Sequence, residues 1–443
     1  MHLLSSRRMR AVVAGAAALA LVLTGCSSAD TFSYTPPAQV DQKLPDDTAS
    51  QLQAAVENAM QKTGATGAIV GVWVPWSGTW VTGFGTQSVE DQTPVTKDMS
   101  FRIGDTTRLM TCEVLYALAD EGVVELDGSV PEYVSGVAGL ADVTLLELCN
   151  GTSGIGSSEA AVRGMWQNTP ERVWAPLELA SYGLGKDLAE SGVSYGDSDA
   201  AYLLLGLALE RASGMTASEL IAKYVTGPLQ LENTSLPSSA AAAPGGAPLT
   251  GHYLPAIEGG YNCTAPVDIT KLSSSTGFTD SGAVSTIEDL GRFSQAAAAQ
   301  ALREGKEPNQ FANPLPTASG APSWYQATGG AFLVGPLIGQ HGWTPGYASA
   351  SYSDPETGFT VSVVLNSSSI GIEIVNPGYV AAPPRISPGS SRRSHPRRRR
   401  PRARPPRNSV CRSPRSSTTT RSPISPSAPR RPPAERSLRS RLP

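Results

Sequence analysis

The chain has 443 residues, of which 40% are hydrophobic, 6% aromatic and 16% charged. This composition predicts a globular protein, and the length suffices for one large core or for two domains. Beyond the first 26 residues, no apolar run is long enough to cross a bilayer, which excludes a multi-span membrane protein.

The formal net charge of −3 conceals two segments of opposite sign. Residues 381–443 hold 18 Arg, no Lys and a single acid, Glu435, which gives a net charge of +17. Residues 27–380 hold 14 basic and 37 acidic side chains, a net charge of −23. Because an acidic surface repels phosphates, nucleic acid is not an expected partner of the body.

The first 26 residues have the pattern of a bacterial export signal. Three basic residues, Arg7, Arg8 and Arg10, precede an apolar run at 11–23 that is too short to span a bilayer comfortably. The four residues at 23–26, Leu-Thr-Gly-Cys, resemble a lipobox. Charge, length and lipobox together predict a lipoprotein signal peptide.

The lipobox resemblance implies that residues 1–25 are removed and that Cys26 becomes a lipidated N-terminus. Residues 26–45 then form the lipidated cysteine and a flexible linker. We therefore expect an exported protein that is anchored through Cys26 to the outer face of the bacterial cell membrane.

Helical and extended patterns follow each other along the body in a clear order. Apolar residues at helical spacing predict helices, and β-rich runs between turn residues predict strands. The predicted helices cover 48–62, 106–122, 144–149, 200–212, 216–225 and 285–302. The predicted strands cover 68–74, 79–84, 324–334, 347–353 and 360–365.

Strands at both ends of the body surround a helical middle. This order predicts an α+β fold in which one antiparallel sheet is built from both ends and flanked by helices. A mostly helical domain, at about 105–280, is inserted between the two groups of strands. We assign the whole folded body to residues 46–376.

Five cysteines are present: Cys26, Cys112, Cys149, Cys263 and Cys411. None belongs to a CxxC pair and the four histidines are scattered, so we expect neither a metal site nor a cofactor. A structural disulfide among Cys112, Cys149 and Cys263 suits an exported protein, but the sequence does not select the pair.

Several short strings have an order and spacing typical of one enzyme superfamily. Among them are FRIG at 101–104, TSG at 152–154 and WTPGY at 343–347. Over about 68–366 the chain resembles the serine β-lactamase and D-alanyl-D-alanine carboxypeptidase superfamily, in its class C-like, penicillin-binding-protein-like branch. The resemblance implies a β-lactamase/transpeptidase-like fold and a serine-hydrolase cleft.

The resemblance also implies three motifs that converge on this cleft. In Ser-x-x-Lys, the serine attacks a carbonyl and the lysine helps to remove its proton. In Tyr-x-Asn, the tyrosine acts as a general base. In the third motif, a Lys or His followed two residues later by Gly orients the substrate carboxylate. Backbone amides stabilise the oxyanion.

At the first motif this chain has Asp105-Thr106-Thr107-Arg108. Asp105 lacks the hydroxyl that would carry an acyl group, and Arg108 stays protonated at any useful pH. We instead predict that Asp105 and Arg108 form an i,i+3 ion pair at the start of a helix, where an aspartate suits the helix dipole.

The second motif has also changed. Counting nine residues back from Gly206 places its tyrosine at Asp197 and its asparagine at Asp199. Tyr195 lies two residues earlier and could substitute for the missing tyrosine only with a local insertion. The alternative is that Tyr195 is an ordinary buried or loop residue.

Counting six residues back from Gly346 places the third motif at Gln340-His341-Gly342. The Lys or His position is therefore Gln340. A one-residue bulge could turn His341 inward, and the alternative is an exposed histidine on an edge strand. Because Gly342 is kept, a ligand could still approach that backbone.

Three altered motifs favour a catalytically impaired cell-envelope protein that binds a peptidoglycan stem peptide or an envelope protein. One alternative is an active carboxypeptidase, β-lactamase or esterase that uses Tyr195 and His341. Another is a decaying gene product. A GxSxG-like string at 192–196 lacks the preceding strand that an α/β-hydrolase nucleophile elbow requires.

The C-terminal segment 377–443 combines its 18 Arg with many Pro and Ser residues. Such a composition buries too little apolar surface to fold, so we predict disorder. Arginine without lysine is typical of GC-rich DNA that is translated out of frame, which favours a frameshifted or eroded C-terminus. The alternative is a polybasic arm for anionic lipids or wall polymers.

Overall fold

A computed structural model describes residues 34–257 and 260–368. The predictions for the signal peptide, for lipidation of Cys26 and for the tail at 377–443 lie outside the described residues. Within the described part of the chain, no helix combines the length and apolar character needed to cross a bilayer.

The described residues form sixteen strands and ten α-helices. The strands are β1 (Gly67–Val74), β2 (Gly78–Gly85), β3 (Phe101–Arg102), β4 (Ala241–Ala242), β5 (His252–Tyr253), β6 (Ala256–Ile257), β7 (Gly260–Tyr261), β8 (Val267–Asp268), β9 (Leu272–Ser273), β10 (Val284–Ser285), β11 (Leu315–Pro316), β12 (Tyr325–Thr328), β13 (Ala331–Val334), β14 (Leu337–Thr344), β15 (Tyr347–Ser353) and β16 (Thr360–Leu365). The helices are α1 (Asp46–Thr63), α2 (Thr107–Asp120), α3 (Val130–Tyr133), α4 (Leu145–Asn150), α5 (Glu159–Asn168), α6 (Pro176–Leu184), α7 (Asp199–Ser213), α8 (Ala217–Ile221), α9 (Phe278–Ser281) and α10 (Ile287–Ala298).

Eight strands form one antiparallel sheet in the order β11-β12-β13-β14-β15-β16-β1-β2. The first and last strands of the folded body meet beside one edge of this sheet, where β1 pairs with β16 and β2 forms the edge. This topology confirms the predicted antiparallel sheet built from both ends of the chain. The other strands form two-stranded pairs, including β3 with β10 next to the start of α2.

Both faces of β1 and β16 are buried because residues on these strands alternate between two cores. Ile69 and its partner Val364 pack in the same apolar cluster as Phe293 of α10. Val70 and its partner Val363 pack in a second cluster with Val56 of α1. This two-sided burial explains the nearly continuous Val and Ile runs that predicted the two strands.

Helix α2 packs against α7 and α9, and eleven of its fourteen residues are buried. Helix α7 approaches α9 closely at Gly206, where an added Cβ would lie 2.1 Å from Thr279 Oγ1. The Thr279 hydroxyl donates a hydrogen bond of 2.8 Å to the backbone oxygen of Tyr202. This contact fixes the position of Asp280, the next residue on α9.

Some predicted elements differ from the observed ones at turns. The extended run at 324–334 is divided into β12 and β13 at Gly329 and Gly330, which both have positive φ. The helix predicted over 216–225 is α8 followed by a π-helical turn at Ala222–Thr226. The edge strand expected around His341 is β14, and it lies inside the sheet between β13 and β15.

A disulfide joins Cys112 of α2 to Cys149 of α4, with 5.6 Å between their Cα atoms. The bond closes a loop of 37 residues. It selects one of the three pairings that the sequence left open. The disulfide therefore joins α2, which carries Arg108, to α4, which ends just before Thr152 and Ser153.

Candidate functional site

The first and third motif positions meet at Asp105. This residue lies in a 3-10 turn, Gly104–Thr106, that leads into α2. The Thr107 hydroxyl donates a hydrogen bond of 2.8 Å to the Gly104 oxygen and accepts one of 3.2 Å from the Ala283 amide. These bonds hold the turn beside β10. A Cβ at Gly342 would lie 2.3 Å from the Asp105 Cγ. The carboxyl group therefore rests directly on the glycine backbone of β14.

Arg108 is the centre of an ion-pair network. Its side chain is 5% exposed, and three carboxylates surround it. Its Nε lies 2.8 Å from Asp280 Oδ1 and its Nη1 lies 2.5 Å from Asp197 Oδ1. The predicted partner, Asp105, is the most distant, with 3.9 Å between Nη2 and Oδ2. The predicted pair thus exists, but two other aspartates bind Arg108 more closely.

The network keeps Arg108 charged. Burial acts to lower the pKa of Arg108, but the charges of Asp105, Asp197 and Asp280 outweigh it and hold that pKa well above its ordinary value. The guanidinium carbon also lies 4.8 Å from the ring centroid of Tyr202, a cation–π distance. Arg108 therefore cannot take a proton from a neighbouring group.

Burial has the opposite consequence for two of the aspartates. It raises the pKa of Asp105 well above the ordinary range, although the charge of Arg108 opposes the shift. It raises the pKa of Asp280 to about 6, again against Arg108. A carboxyl group that retains its proton is a poorer nucleophile still, so burial weakens what reactivity Asp105 has.

The two aspartates of the second motif point to different partners. Asp197 is 58% exposed in its side chain and contacts Arg108 at the edge of the network. Asp199 begins α7, and its carboxylate accepts hydrogen bonds of 2.7 Å from the Ser157 hydroxyl and the Ser158 amide, as well as one from the Ser158 hydroxyl. Asp197 thus belongs to the charged network, whereas Asp199 holds the loop before α5.

Tyr195 lies beside the network but has the surroundings of a packing residue. Its ring meets Phe332 edge-on at 5.8 Å between centroids and lies against Gly151. Burial raises the pKa of Tyr195 well above the ordinary value, with a further contribution from the charge of Asp197. A phenol that is so hard to ionise is not suited to general-base work.

His341 lies on the opposite side of β14 from Gly342. The pairing of β14 with β15 is continuous from Ile338 to Thr344, so the bulge that would turn His341 inward is absent there. The ring stacks on Phe332 at 4.7 Å between centroids, and its Nδ1 lies 2.5 Å from the Tyr352 hydroxyl oxygen. The alternative of an exposed histidine also fails, because His341 is buried.

The charge state of His341 follows from this burial, which lowers its pKa to about 4. Gln340, at the Lys or His position, donates a hydrogen bond of 2.8 Å from its side-chain amide to the Gly330 oxygen. Its side-chain oxygen accepts a hydrogen bond of 2.9 Å from the backbone amide of His341. Its amide group is thereby occupied by the backbone. The third motif supplies no cation to bind a substrate carboxylate.

The structure brings together Asp105, Arg108, Asp197 and Gly342, and adds Asp280, which the sequence reasoning missed. Asp280 precedes a Ser-Gly turn and belongs to no motif. It reaches Arg108 because its neighbour Thr279 holds α9 against α7. Within the described residues, no group of three or more His, Cys, Asp or Glu side chains is arranged to hold a metal ion.

Comparisons with known proteins agree on one fold. Residues 52–381 match the family model described as Beta-lactamase. The D-alanyl-D-alanine-carboxypeptidase/endopeptidase AmpH of Escherichia coli K12 is 32% identical over 148 residues, which are 31% of this chain and 37% of that protein. The alignment therefore spans little more than a third of this relative's length.

Two solved structures show the same architecture at low sequence identity. A D-stereospecific amidohydrolase from Streptomyces sp. has a TM-score of 0.63 at 19% identity, covering 74% of this chain and 99% of its own. An octameric penicillin-binding protein homologue from Pyrococcus abyssi has a TM-score of 0.57 at 21% identity, covering 72% of this chain and 74% of its own. These comparisons confirm the superfamily resemblance and the fold class.

Proposed function

Because the chain belongs to the beta-lactamase family, we propose that it is a member that binds its ligand without forming an acyl-enzyme. The observation that carries this proposal is the network around Arg108. A carboxyl group occupies the nucleophile position, and a guanidinium bound by Asp280 and Asp197 occupies the proton-acceptor position. Neither group can do the work that the serine and lysine of the family perform.

The other motif positions also argue against turnover. The tyrosine position of the second motif is Asp197, which serves the ion-pair network. Tyr195 and His341, the residues of a rewired active site, are engaged in aromatic packing, and His341 faces away from Asp105. We therefore favour the impaired binding protein over the active hydrolase.

We propose a peptidoglycan stem peptide or an envelope protein as the ligand. The support is the relative's name, which describes a D-alanyl-D-alanine carboxypeptidase and endopeptidase. A protein that kept this cleft but lost its nucleophile would hold such a peptide without cleaving it.

Labelling with a fluorescent penicillin tests the absence of acylation. We expect no covalent label on the wild-type chain under conditions that fully label an active penicillin-binding protein in the same reaction. Arg108→Lys alone is expected to remain unlabelled, because Asp105 still lacks a hydroxyl. Any label should require Asp105→Ser combined with Arg108→Lys.

Stoichiometric labelling of the wild-type chain would contradict the proposal. Peptide mapping would then identify the reacting hydroxyl, and Ser157 and Ser158 are the first to examine because both contact the carboxylate of Asp199. Ester turnover that disappears in Tyr195→Phe would instead favour the rewired enzyme.

We also propose that the protein is a lipoprotein at the outer face of the cell membrane. The support is the sequence at 23–26 and the basic, apolar leader before it. We expect the full chain to partition into the detergent phase and to incorporate labelled palmitate when it is expressed in a bacterial host. Cys26→Ala should lose both properties, and an anchor that survives this change would rule out lipidation at Cys26.

A further inference from the structure

The segment before α1 is bound to the hairpin that joins β1 and β2. Residues 34–44 belong to the stretch predicted as a linker, and they pack along this hairpin. The backbone amide of Val40 donates a hydrogen bond of 2.9 Å to the Pro75 oxygen. The amide of Leu44 donates one of 3.1 Å to the Thr79 oxygen, and the Leu44 side chain is buried. These contacts fix the path of the segment along the hairpin.

The turn of the hairpin accommodates this segment through a glycine. Gly78 has a φ of +130°, and an added Cβ would lie 2.3 Å from the Gln42 oxygen. Two side-chain amides add hydrogen bonds to the turn, of 2.8 Å from Gln39 to the Val74 oxygen and of 2.9 Å from Gln42 to the Ser77 oxygen. The segment and the turn therefore form one rigid unit.

The turn carries an exposed aromatic side chain. Trp76 is 54% exposed, whereas Trp73 and Trp80, on the strands beside it, are partly buried. Val40, which is bound to the residue before Trp76, is 40% exposed. We call Val40 and Trp76 the hairpin tip. A tryptophan ring with an apolar body and a polar N–H is the side chain that favours the boundary between membrane and water.

The chain that precedes this segment contains the lipidation site proposed above. Seven residues, 27–33, separate Cys26 from Tyr34. Arg292 donates a hydrogen bond of 3.1 Å to the Tyr34 backbone oxygen, and its guanidinium carbon lies 5.5 Å from the centroid of the Tyr34 ring. Eight residue steps span at most about 28 Å. The acyl chains on Cys26 therefore hold Tyr34 within that distance of the bilayer surface.

We propose that the hairpin tip inserts into the interface of the membrane that holds these acyl chains, an inference that rests on the proposed lipidation of Cys26. The anchor keeps the tip at a high effective concentration near the bilayer, so a small apolar area suffices for contact. The nearby exposed charges give anionic lipid no advantage, because Asp41 and Lys43 are opposite in sign and α1 begins with two aspartates.

The contact determines which part of the sheet faces the membrane. Strand β2 forms one edge of the sheet, and the hairpin tip lies at its start. Trp324 directly precedes β12, which is next to the opposite edge, and it is also 54% exposed. Insertion of the hairpin tip turns the β2 edge toward the lipid and leaves Trp324 in water. Two equally exposed tryptophans are thus expected in different surroundings.

Quenching of tryptophan fluorescence by brominated phosphatidylcholine tests the insertion. The full chain, purified with its acyl chains, is reconstituted in phosphatidylcholine vesicles, which have no net charge to attract the arginine-rich tail. We expect brominated lipid to lower the fluorescence of the wild type, and Trp76→Phe to lose at least about half of this absolute decrease. Trp324→Phe is the matched control and should lose none of it.

Val40→Asp tests the other residue of the hairpin tip without removing a fluorophore. A carboxylate at this position opposes insertion, so the quenching should fall by about twofold or more while palmitate incorporation stays unchanged. Unchanged quenching in Val40→Asp, or equal losses in Trp76→Phe and Trp324→Phe, would overturn the insertion and leave the lipidation of Cys26 intact. A wild-type chain that carries no palmitate would overturn both.

Discussion

Replacing Arg108 with methionine is expected to lower the free energy of unfolding by about 3 to 5 kcal/mol at pH 7.5. The substitution removes the only cation that contacts Asp105 and Asp280 within the described residues, and the side chains of these aspartates are 12% and 7% exposed. At this pH Asp280 is ionised because its pKa is about 6, and a buried carboxylate without a counter-charge is costly because its desolvation is no longer offset. Urea denaturation followed by circular dichroism measures the change.

Two further variants isolate the electrostatic cause. Arg108→Met combined with Asp280→Asn should recover part of the loss, because the stranded charge of Asp280 is removed. Arg163→Met removes an arginine that is 48% exposed and pairs with Glu159, so it should cost less than about 1 kcal/mol. A loss below about 1 kcal/mol for Arg108→Met would show that the network contributes little to stability.

Glu113→Gln should stabilise the folded protein above pH 7. The unfolded chain ionises this glutamate near its ordinary pKa of 4.5, whereas burial on α2 raises its pKa in the folded protein to about 7. The folded state therefore binds more protons between these values, and the free energy of unfolding falls as the pH rises through this window. Glutamine does not ionise, so the free energy of unfolding of the variant does not fall in this window. At pH 8 it should exceed that of the wild type by roughly 2 to 3 kcal/mol.

The pH dependence separates this effect from simple repacking. The difference between Glu113→Gln and the wild type should be near zero at pH 4 and should grow toward pH 8 in urea denaturation. Glu304→Gln, an exposed substitution, should change stability by less than about 0.5 kcal/mol at both pH values. A gain for Glu113→Gln that is equal at pH 4 and pH 8 would contradict the raised pKa.

The positions of the three motifs could be counted from the sequence because the residues of each motif lie at short, fixed distances along one helix or strand. Asp105 and Arg108 are three residues apart, so their contact follows from helix geometry alone. Strands β1 and β16 were equally predictable, since Val70 and Val363 belong to β-branched runs that suit a sheet buried on both faces. Local chemistry and local periodicity suffice for such features.

The direction in which His341 faces could not be derived from the sequence. Inward and outward orientations differ by one residue of register, and the sequence is compatible with both. The continuous pairing of β14 with β15 settles the orientation, because without a bulge the neighbours of Gly342 must face the other side. The sequence also placed His341 on an edge strand, whereas β14 lies between β13 and β15.

The composition and order of residues are sufficient for the superfamily, the antiparallel sheet and the contact between Asp105 and Arg108, because each depends on neighbours in the chain. The Asp280–Arg108 pair spans 172 residues, and the Cys112–Cys149 bond selects one of three pairings. The hydrogen bonds between residues 34–44 and the hairpin of β1 and β2 likewise join separate segments. Contacts of this kind arise from the packing of whole elements, and no local pattern in the chain encodes the distance between them.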